Sequence, residues 1–250
     1  MWKFFHHLTS PPHFYRLAAT IIPWLAFPGL VLIAYGSYAG LFVAPEDYQQ
    51  GDAYRIIYVH VPAAYVSIMA YVLMAVGGGC GLIWRLKLAH AVGAAAAPLG
   101  AAFTFLALAT GSIWGRPMWG TWWEWGDPRL MSELIMLFLY FGYMALRAAI
   151  DETAKADKAS AVLALVGVVN VVIVHYSVVW WNSLHQGPTL LKKGGPGMDA
   201  DMLYPLLAMI LGFTLVFGAL LARRIRTEVL YRERRTRWVR ELILAPGGGR

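Results

Sequence analysis

Two histidines and five tryptophans carry the chemistry that this sequence suggests. His60 stands just before one long apolar run, and His185 follows another. Between them, the fourteen residues from Trp114 to Asp127 contain the five tryptophans, Trp114, Trp119, Trp122, Trp123 and Trp125. A neutral imidazole can ligate a metal, and tryptophan rings offer wide apolar faces. The combination favours a site for a large, planar, apolar, metal-containing ligand, and haem fits that description.

Each of these residues also has an ordinary interpretation. A single histidine at a membrane surface is usually a polar residue at the water boundary, and one or two tryptophans there are anchors. Two histidines at one depth around a tryptophan-rich loop favour ligation instead. His175 lies within an apolar run, and we interpret it as a core histidine, paired with Asn170 or Tyr176, rather than as a ligand.

Charged residues near the histidines could hold the two propionates of a haem. The candidates are Arg55, Arg116 and Arg129, of which Arg55 and Arg129 lie nearest in sequence to His60 and Asp127, because guanidinium groups pair bidentately with carboxylates. The alternative is that they are ordinary interfacial charges, with Arg129 paired to Asp127 or Glu124. Asp127 either caps a helix or orients a ligand, and Glu133 can serve as a helix-start charge.

The composition indicates a membrane protein. The chain has 250 residues, of which 59% are hydrophobic and only 14% are charged, whereas a soluble domain is about one quarter charged. Cys80 is the single cysteine. A disulfide within the chain and a CxxCH haem-attachment motif are therefore both excluded.

Six apolar runs are long enough to cross a bilayer, which predicts an all-α, six-helix integral membrane bundle. The third is rich in alanine and glycine, which permits close helix packing and favours a central position. Pro62 predicts that the second helix starts near His60. The runs are residues 17–41, 61–84, 91–113, 132–149, 161–181 and 203–221.

The distribution of lysine and arginine predicts the orientation. Sixteen of the 21 fall on the side that holds both termini, which predicts cytoplasmic termini. Residues 42–60, 114–131 and 182–202 then face outward. We therefore divide the chain into a six-span domain, residues 1–221, with a tryptophan-rich periplasmic loop at 114–131, and a basic cytoplasmic tail, residues 222–250. The tail is expected to touch anionic lipid rather than nucleic acid.

At these residues the chain resembles a known family. The segment W-G-T-W-W-E-W-G-D, residues 119–127, is similar to the tryptophan-rich WWD signature of haem-handling proteins in cytochrome c biogenesis. Residues 54–64, 175–187 and 241–244 resemble one group of these proteins, the cytochrome c maturation protein C family of the bacterial System I pathway. The signature usually ends Trp-x-Trp-Asp, whereas Gly126 here separates Trp125 from Asp127.

The resemblance implies that His60 and His185 are axial ligands of haem iron. It implies that the five tryptophans and Asp127 form a platform for haem b, which is bound as cargo. It further implies a non-enzymatic subunit of the bacterial inner membrane that presents haem to a periplasmic haem chaperone. The implied partners are an ABC-type ATPase, a second multispanning subunit and a small single-span subunit. The alternative is a structural or permease subunit of such a complex without its own haem site.

Overall fold

The chain is a helical bundle in a computed structural model that describes residues 10–187 and 197–244. Six helices are long and apolar enough to cross a membrane, as the sequence predicts. Residues 1–9, Lys192, Lys193 and the last six residues of the tail lie outside the described ranges. The helices are α1 Pro11–Tyr38, which continues into a π-helical turn Ala39–Val43, α2 Ile57–Trp84, α3 Lys87–Trp119, α4 Pro128–Ala149, α5 Thr153–Trp180, α6 Ala200–Arg232 and the short α7 Arg237–Leu244.

The six long helices alternate in direction, so their ends gather at two opposite ends of the bundle. One of these, the histidine end, carries His60 and His185, whose rings are neighbours. The other, the arginine end, carries Arg147 and Arg232, which share the carboxylate of Asp157. Both termini of the described chain lie at the arginine end. That this end faces the cytoplasm remains a prediction.

Small residues bring α3 into the centre of the bundle, where it packs against α2, α4 and α6. Gly100 lies directly against the ring of Tyr140, and Gly93 lies against the hydroxyl of Tyr143. Within the bilayer, association depends on close packing rather than on a hydrophobic driving force. The central position indicated by the alanine- and glycine-rich run is confirmed.

Several helix boundaries at the histidine end differ from the predicted runs, and two of them lie beside candidate site residues. Helix α3 continues to Trp119 instead of ending near residue 113. It ends where Gly120 adopts a left-handed conformation, with φ of 78°, and donates its N–H to the carbonyl of Arg116, which is a common glycine termination. Helix α2 starts at Ile57, ahead of Pro62, because a 3-10 turn over Asp52–Ile56 leads into it. His60 therefore lies inside the first helical turn.

The arginine end extends beyond the apolar run of the last span. Helix α6 continues to Arg232, eleven residues past the predicted boundary at Leu221. Arg232 donates to both oxygens of Asp157 at 2.7 and 2.9 Å, and Arg147 donates to the same carboxylate at 2.6 Å. Because these residues come from three helices, the ion cluster joins the ends of α4, α5 and α6 and makes the start of the tail part of the bundle.

Replacing Gly100 by alanine should destabilise the bundle, because the new methyl group would overlap the ring of Tyr140. The ring cannot simply rotate away, since its hydroxyl donates to the carbonyl of Ser67 at 2.7 Å. Overpacking of this kind costs about 1–3 kcal/mol. Thermal unfolding of the purified protein in detergent measures the loss. Gly142→Ala is the matched control, because its new methyl group would meet nothing closer than Leu163 at 3.7 Å, and equal melting of the two variants would contradict the packing argument.

Candidate functional site

His60 lies in the first turn of α2 on the face that packs against α3, and only 9% of the residue is exposed. Its Nδ1 is 3.1 Å from the hydroxyl of Thr110. That hydroxyl has one hydrogen, which it donates along its own helix to the carbonyl of Leu106 at 2.7 Å. Thr110 must therefore accept from His60. Nδ1 carries the ring hydrogen, and Nε2 has a lone pair available for a metal.

His185 reaches the same tautomer through a different partner. It lies in the non-helical segment that follows α5, where its Nδ1 is 2.8 Å from the carbonyl oxygen of Gln186. A carbonyl can only accept a hydrogen bond. The hydrogen of His185 is therefore also on Nδ1, and its Nε2 also has a free lone pair.

The two imidazole rings are neighbours, with centroids 6.2 Å apart and planes tilted by 38°. Two imidazoles that ligate one metal from opposite sides, at metal–nitrogen distances of about 2 Å, have centroids roughly 6 Å apart. In the described part of the chain no group of three or more His, Cys, Asp or Glu side chains is placed to hold a metal ion. The pair thus suits a metal that brings its own in-plane ligands, as haem iron does.

A cavity of about 20 Å³ lies between the histidines, and Arg129 and Glu133 of α4 help to line it. Arg129 donates through Nη1 to the carbonyl of Val174 at 2.5 Å, instead of pairing with Asp127 or Glu124 as the sequence analysis allowed. It places a cation in the wall of the cavity that both imidazoles line.

Glu133 is a site residue that sequence reasoning missed. It is only 6% exposed, one of its oxygens accepts from Ser67 at 3.0 Å, and the other is buried without a hydrogen-bond partner among the described residues. Its place one turn after Arg129 puts it on the same helix face. The four-residue spacing from Arg129 could have indicated that Glu133 belongs to the same site, but the sequence alone suggested only a helix-start charge.

The environment of His185 lowers the pKa of its ring below the usual value of 6.5. Burial is the main cause, and the positive charge of Arg129 adds to it, while the Gln186 carbonyl and the Asp127 carboxylate act in the opposite direction. Both dominant effects disfavour imidazolium. His185 therefore keeps its neutral, ligating form to a lower pH than a solvated histidine does.

Asp127 caps α4, which is one of the two roles that the sequence left open, and it also binds the segment that carries His185. Its Oδ1 accepts from the backbone N–H groups of Arg129 and Leu130 at 2.9 and 3.0 Å and so caps α4. Its Oδ2 accepts from the Ser183 hydroxyl and the Leu184 N–H, both at 2.8 Å. One buried carboxylate thus fixes the start of α4 and the segment that carries His185.

The five tryptophans occupy different environments. The ring of Trp114 is edge-on to His60 at 5.7 Å, and its Nε1 donates to Gln50 at 3.0 Å. Trp119 ends α3 and folds against Gly115. Trp123 packs against the main core, whereas Trp122 and Trp125 are 57% and 71% exposed. Because α3 absorbs Trp114 and Trp119, the loop between α3 and α4 is shorter than the predicted 114–131, and Trp114 is the tryptophan in ring contact with a candidate ligand.

Arg55 is placed differently from Arg129. Its Nη1 donates to the carbonyls of Gly40 and Ala44, both at 2.9 Å, and its Nε is 2.6 Å from the carboxylate of Asp52. These bonds join the end of α1 to the 3-10 turn before α2. Arg55 therefore stabilises the contact between these two segments, whereas Arg129 is the cation that lines the cavity between the histidines.

His175 does not lie in the core, contrary to its interpretation from the sequence. It is on an exposed face of α5, where its ring is edge-on to Tyr176 at 4.7 Å. Asn170, the other proposed partner, donates to the carbonyl of Ser132 at 2.9 Å instead. The helix turns His175 outward, because the inner face of α5 at this level is formed by Val174 and Ser177.

Comparison with known proteins identifies a family over nearly the whole chain. The family model described as "Heme exporter protein C" matches residues 4–240. The chain belongs to this family.

Curated members of the family are similar to this chain over nearly their full length. "Heme exporter protein C" of Escherichia coli strain K12 is 50% identical over 247 residues, which cover 99% of each chain. The protein of the same name from Bradyrhizobium diazoefficiens is 47% identical over 92% of this chain and 86% of its own length. That of Haemophilus influenzae is 45% identical over 97% of this chain and 98% of its own.

Replacing Asp127 by asparagine should loosen the segment that carries His185. An asparagine side chain has a single acceptor oxygen, so it cannot both cap α4 and accept from Ser183 and Leu184. Losing a hydrogen bond to a charged group costs about 1.5–3 kcal/mol. Amide hydrogen exchange in the peptide covering residues 181–187 should therefore become about tenfold faster. Asp47→Asn is the control, because the Asp47 carboxylate accepts from the backbone N–H groups of Gln49 and Gln50 in its own turn. Unchanged exchange in Asp127→Asn would contradict the proposed role of Asp127 in holding this segment.

Histidine NMR of the haem-free protein should show His185 titrating below pH 6.5. The ring stays neutral as the pH falls through 6.5 and gains its proton only at the lowered pKa. Replacing Arg129 by glutamine removes one cause of the lowering, so the titration should move upward towards 6.5. Arg116→Gln at the same end should leave it in place. A His185 that titrates at or above 6.5 in the unmodified protein would refute this description of its environment.

Proposed function

We propose that this chain binds haem at its histidine end, with His60 and His185 as the two axial ligands, and presents it to a haem chaperone during cytochrome c maturation. The haem is haem b, carried as cargo. The observation that carries the proposal is the pair of histidine rings with centroids 6.2 Å apart. Both rings hold their hydrogen on Nδ1, so both Nε2 atoms are available to iron.

The surroundings of the pair suit the rest of a haem molecule. Arg129 supplies a cation for one propionate, and a partly buried guanidinium forms strong bonds to carboxylates. Trp114 offers a ring beside His60. The exposed rings of Trp122 and Trp125 provide apolar area on which the porphyrin edge or the incoming chaperone can rest.

Binding must involve movement on the His185 side of the site. The cavity between the histidines, at about 20 Å³, has room for about one water molecule and not for a porphyrin. His60 is fixed in a helix, whereas His185 lies in a non-helical segment held to the rest of the site by Asp127. We infer that haem enters from the open side by displacing residues 181–187, and that reversal of this step releases it.

The setting of this function follows from the family and from the charge distribution. Similar proteins are named heme exporter protein C, and we place this chain in the bacterial inner membrane with the histidine end towards the periplasm. Its proposed partners are an ABC-type ATPase, a second multispanning subunit, a small single-span subunit and a periplasmic haem chaperone. The role is transport and transfer rather than catalysis.

Purified protein co-produced with its partners should show a Soret band that depends on both ligand histidines. His60→Ala and His185→Ala should each weaken or shift the band at equal protein yield, because each removes one iron ligand. His175→Ala is the matched control, since His175 lies in the outer half of α5 but is exposed and turned away from the site. Absorption spectra after size-exclusion chromatography measure the effect.

Two results would refute the haem site. One is a band unchanged in both ligand variants, and the other is a band lost equally in His175→Ala. Either would exclude His60 and His185 as the iron ligands, whereas the absence of a Soret band in the unmodified protein would favour the alternative that the chain is a structural or permease subunit without a haem site of its own.

A further inference from the structure

A second cavity, of about 250 Å³, lies at the arginine end, far from the histidines. The first turns of α1, α3 and α5 and the last turn of α6 surround it. Its volume corresponds to about eight water molecules, so it is large enough for a small organic group. Neither the proposed haem function nor the family description gives it a role.

Three cations line this cavity, Lys87, Arg232 and Arg234. Arg232 is held rigidly, because it donates to Asp157 through both terminal nitrogens and to Glu228 through Nε at 2.7 Å. Lys87 is exposed, and within the described ranges the structure gives it no ion pair. Arg234 uses Nη1 for the carbonyl of Tyr231, which leaves its other donors for a ligand. Lys87 and Arg234 therefore supply the positive charge that is free for an anion in this space, and Arg232 forms a fixed part of its wall.

The carboxylates that share the lining limit how much negative charge the cavity can take. Asp157 is already neutralised by Arg147 and Arg232. Glu233, also in the lining, offsets one of the remaining cations. The balance favours an anion of low charge over a polyanion such as a nucleotide triphosphate or nucleic acid.

Most of the rest of the lining is apolar. Pro11, Leu88, Ala91 and Val229 form this part of the wall, and all four lie in helices that are long and apolar enough to cross a membrane. A ligand that occupies the cavity thus meets both cations and apolar side chains. This polarity is that of a phospholipid where its head group joins its acyl chains.

The first turns of α3 and α5 add hydrogen-bond donors. Neither helix has a capping side chain at its start, so the first backbone N–H groups of each have no partner within their helix. Lys87, Leu88, Thr153 and Ala154 of these turns all line the cavity. Such groups support binding of a phosphate that the cations attract.

We propose that this cavity binds the phosphate of an anionic membrane phospholipid, with Lys87, Arg232 and Arg234 around the head group and the acyl chains leaving along the apolar wall. Basic pockets between membrane helices bind anionic head groups in this manner. A bound lipid would join the starts of α1, α3 and α5 to the end of α6, next to the ion cluster of Asp157. This site is independent of haem.

Native mass spectrometry of the full chain in detergent, titrated with phosphatidylglycerol, tests the proposal. Lys87→Gln combined with Arg234→Gln should weaken binding by about tenfold or more, because two cations near the head group are lost. The matched control combines Lys158→Gln with Arg235→Gln, which removes the same charges from exposed positions outside the lining. The control should bind as the unmodified protein does, and all three proteins should elute alike on size-exclusion.

Further arms of the same experiment separate the sources of the phosphate. Phosphatidylcholine, whose head group carries a fixed positive charge, should bind more weakly than phosphatidylglycerol. Inorganic phosphate at millimolar concentration should not displace the lipid. Equal weakening in the test and control variants would overturn the proposal in favour of a general charge effect. Displacement by inorganic phosphate would overturn it in favour of a free-anion site.

Discussion

The carboxylate of Asp127 is the interaction on which the histidine end depends. Each of its oxygens accepts two hydrogen bonds, and these bonds join the start of α4 to the segment that follows α5. Without it, the segment that carries His185 would have no strong connection to the helix that carries Arg129. A buried carboxylate costs free energy unless its oxygens are satisfied, and these four donors satisfy it. The same bonds also define what must break when a bulky ligand arrives.

His60, the other histidine of the pair, is positioned by packing rather than by a charge. Small residues let α3 approach α2 so closely that His60 lies against Gly111 and donates to Thr110. The hydroxyl of Thr110 is already committed to its own helix, which sets the tautomer of the imidazole. One candidate ligand is thus fixed in a helix, and the other lies on a non-helical segment bound by Asp127. This asymmetry is consistent with the proposal that the chain holds a cargo and then releases it.

Much of this arrangement could be predicted from the sequence, because the thickness of a bilayer restricts how long each spanning helix must be and where its ends lie. Six apolar runs gave six helices, and histidines at equal depth, His60 and His185, proved to be neighbours. Three features could not be predicted in this way. Trp114 and Trp119 are helical because α3 ends only at Gly120. Arg55 donates to carbonyls of another segment, and Glu133 is buried against Ser67 of another helix. Contacts between helices are not encoded in the spacing along one helix, so only the folded structure reveals them.

The central claim is that the Nε2 atoms of His60 and His185 bind one iron atom together. Electron paramagnetic resonance of the protein loaded with ferric haem tests it most directly, with ¹⁵N-labelled histidine to identify the ligands. The account predicts a low-spin ferric signal with two coupled histidine nitrogens, and replacement of either histidine should remove one coupling. A high-spin signal, or coupling to a single histidine in the unmodified protein, would contradict it.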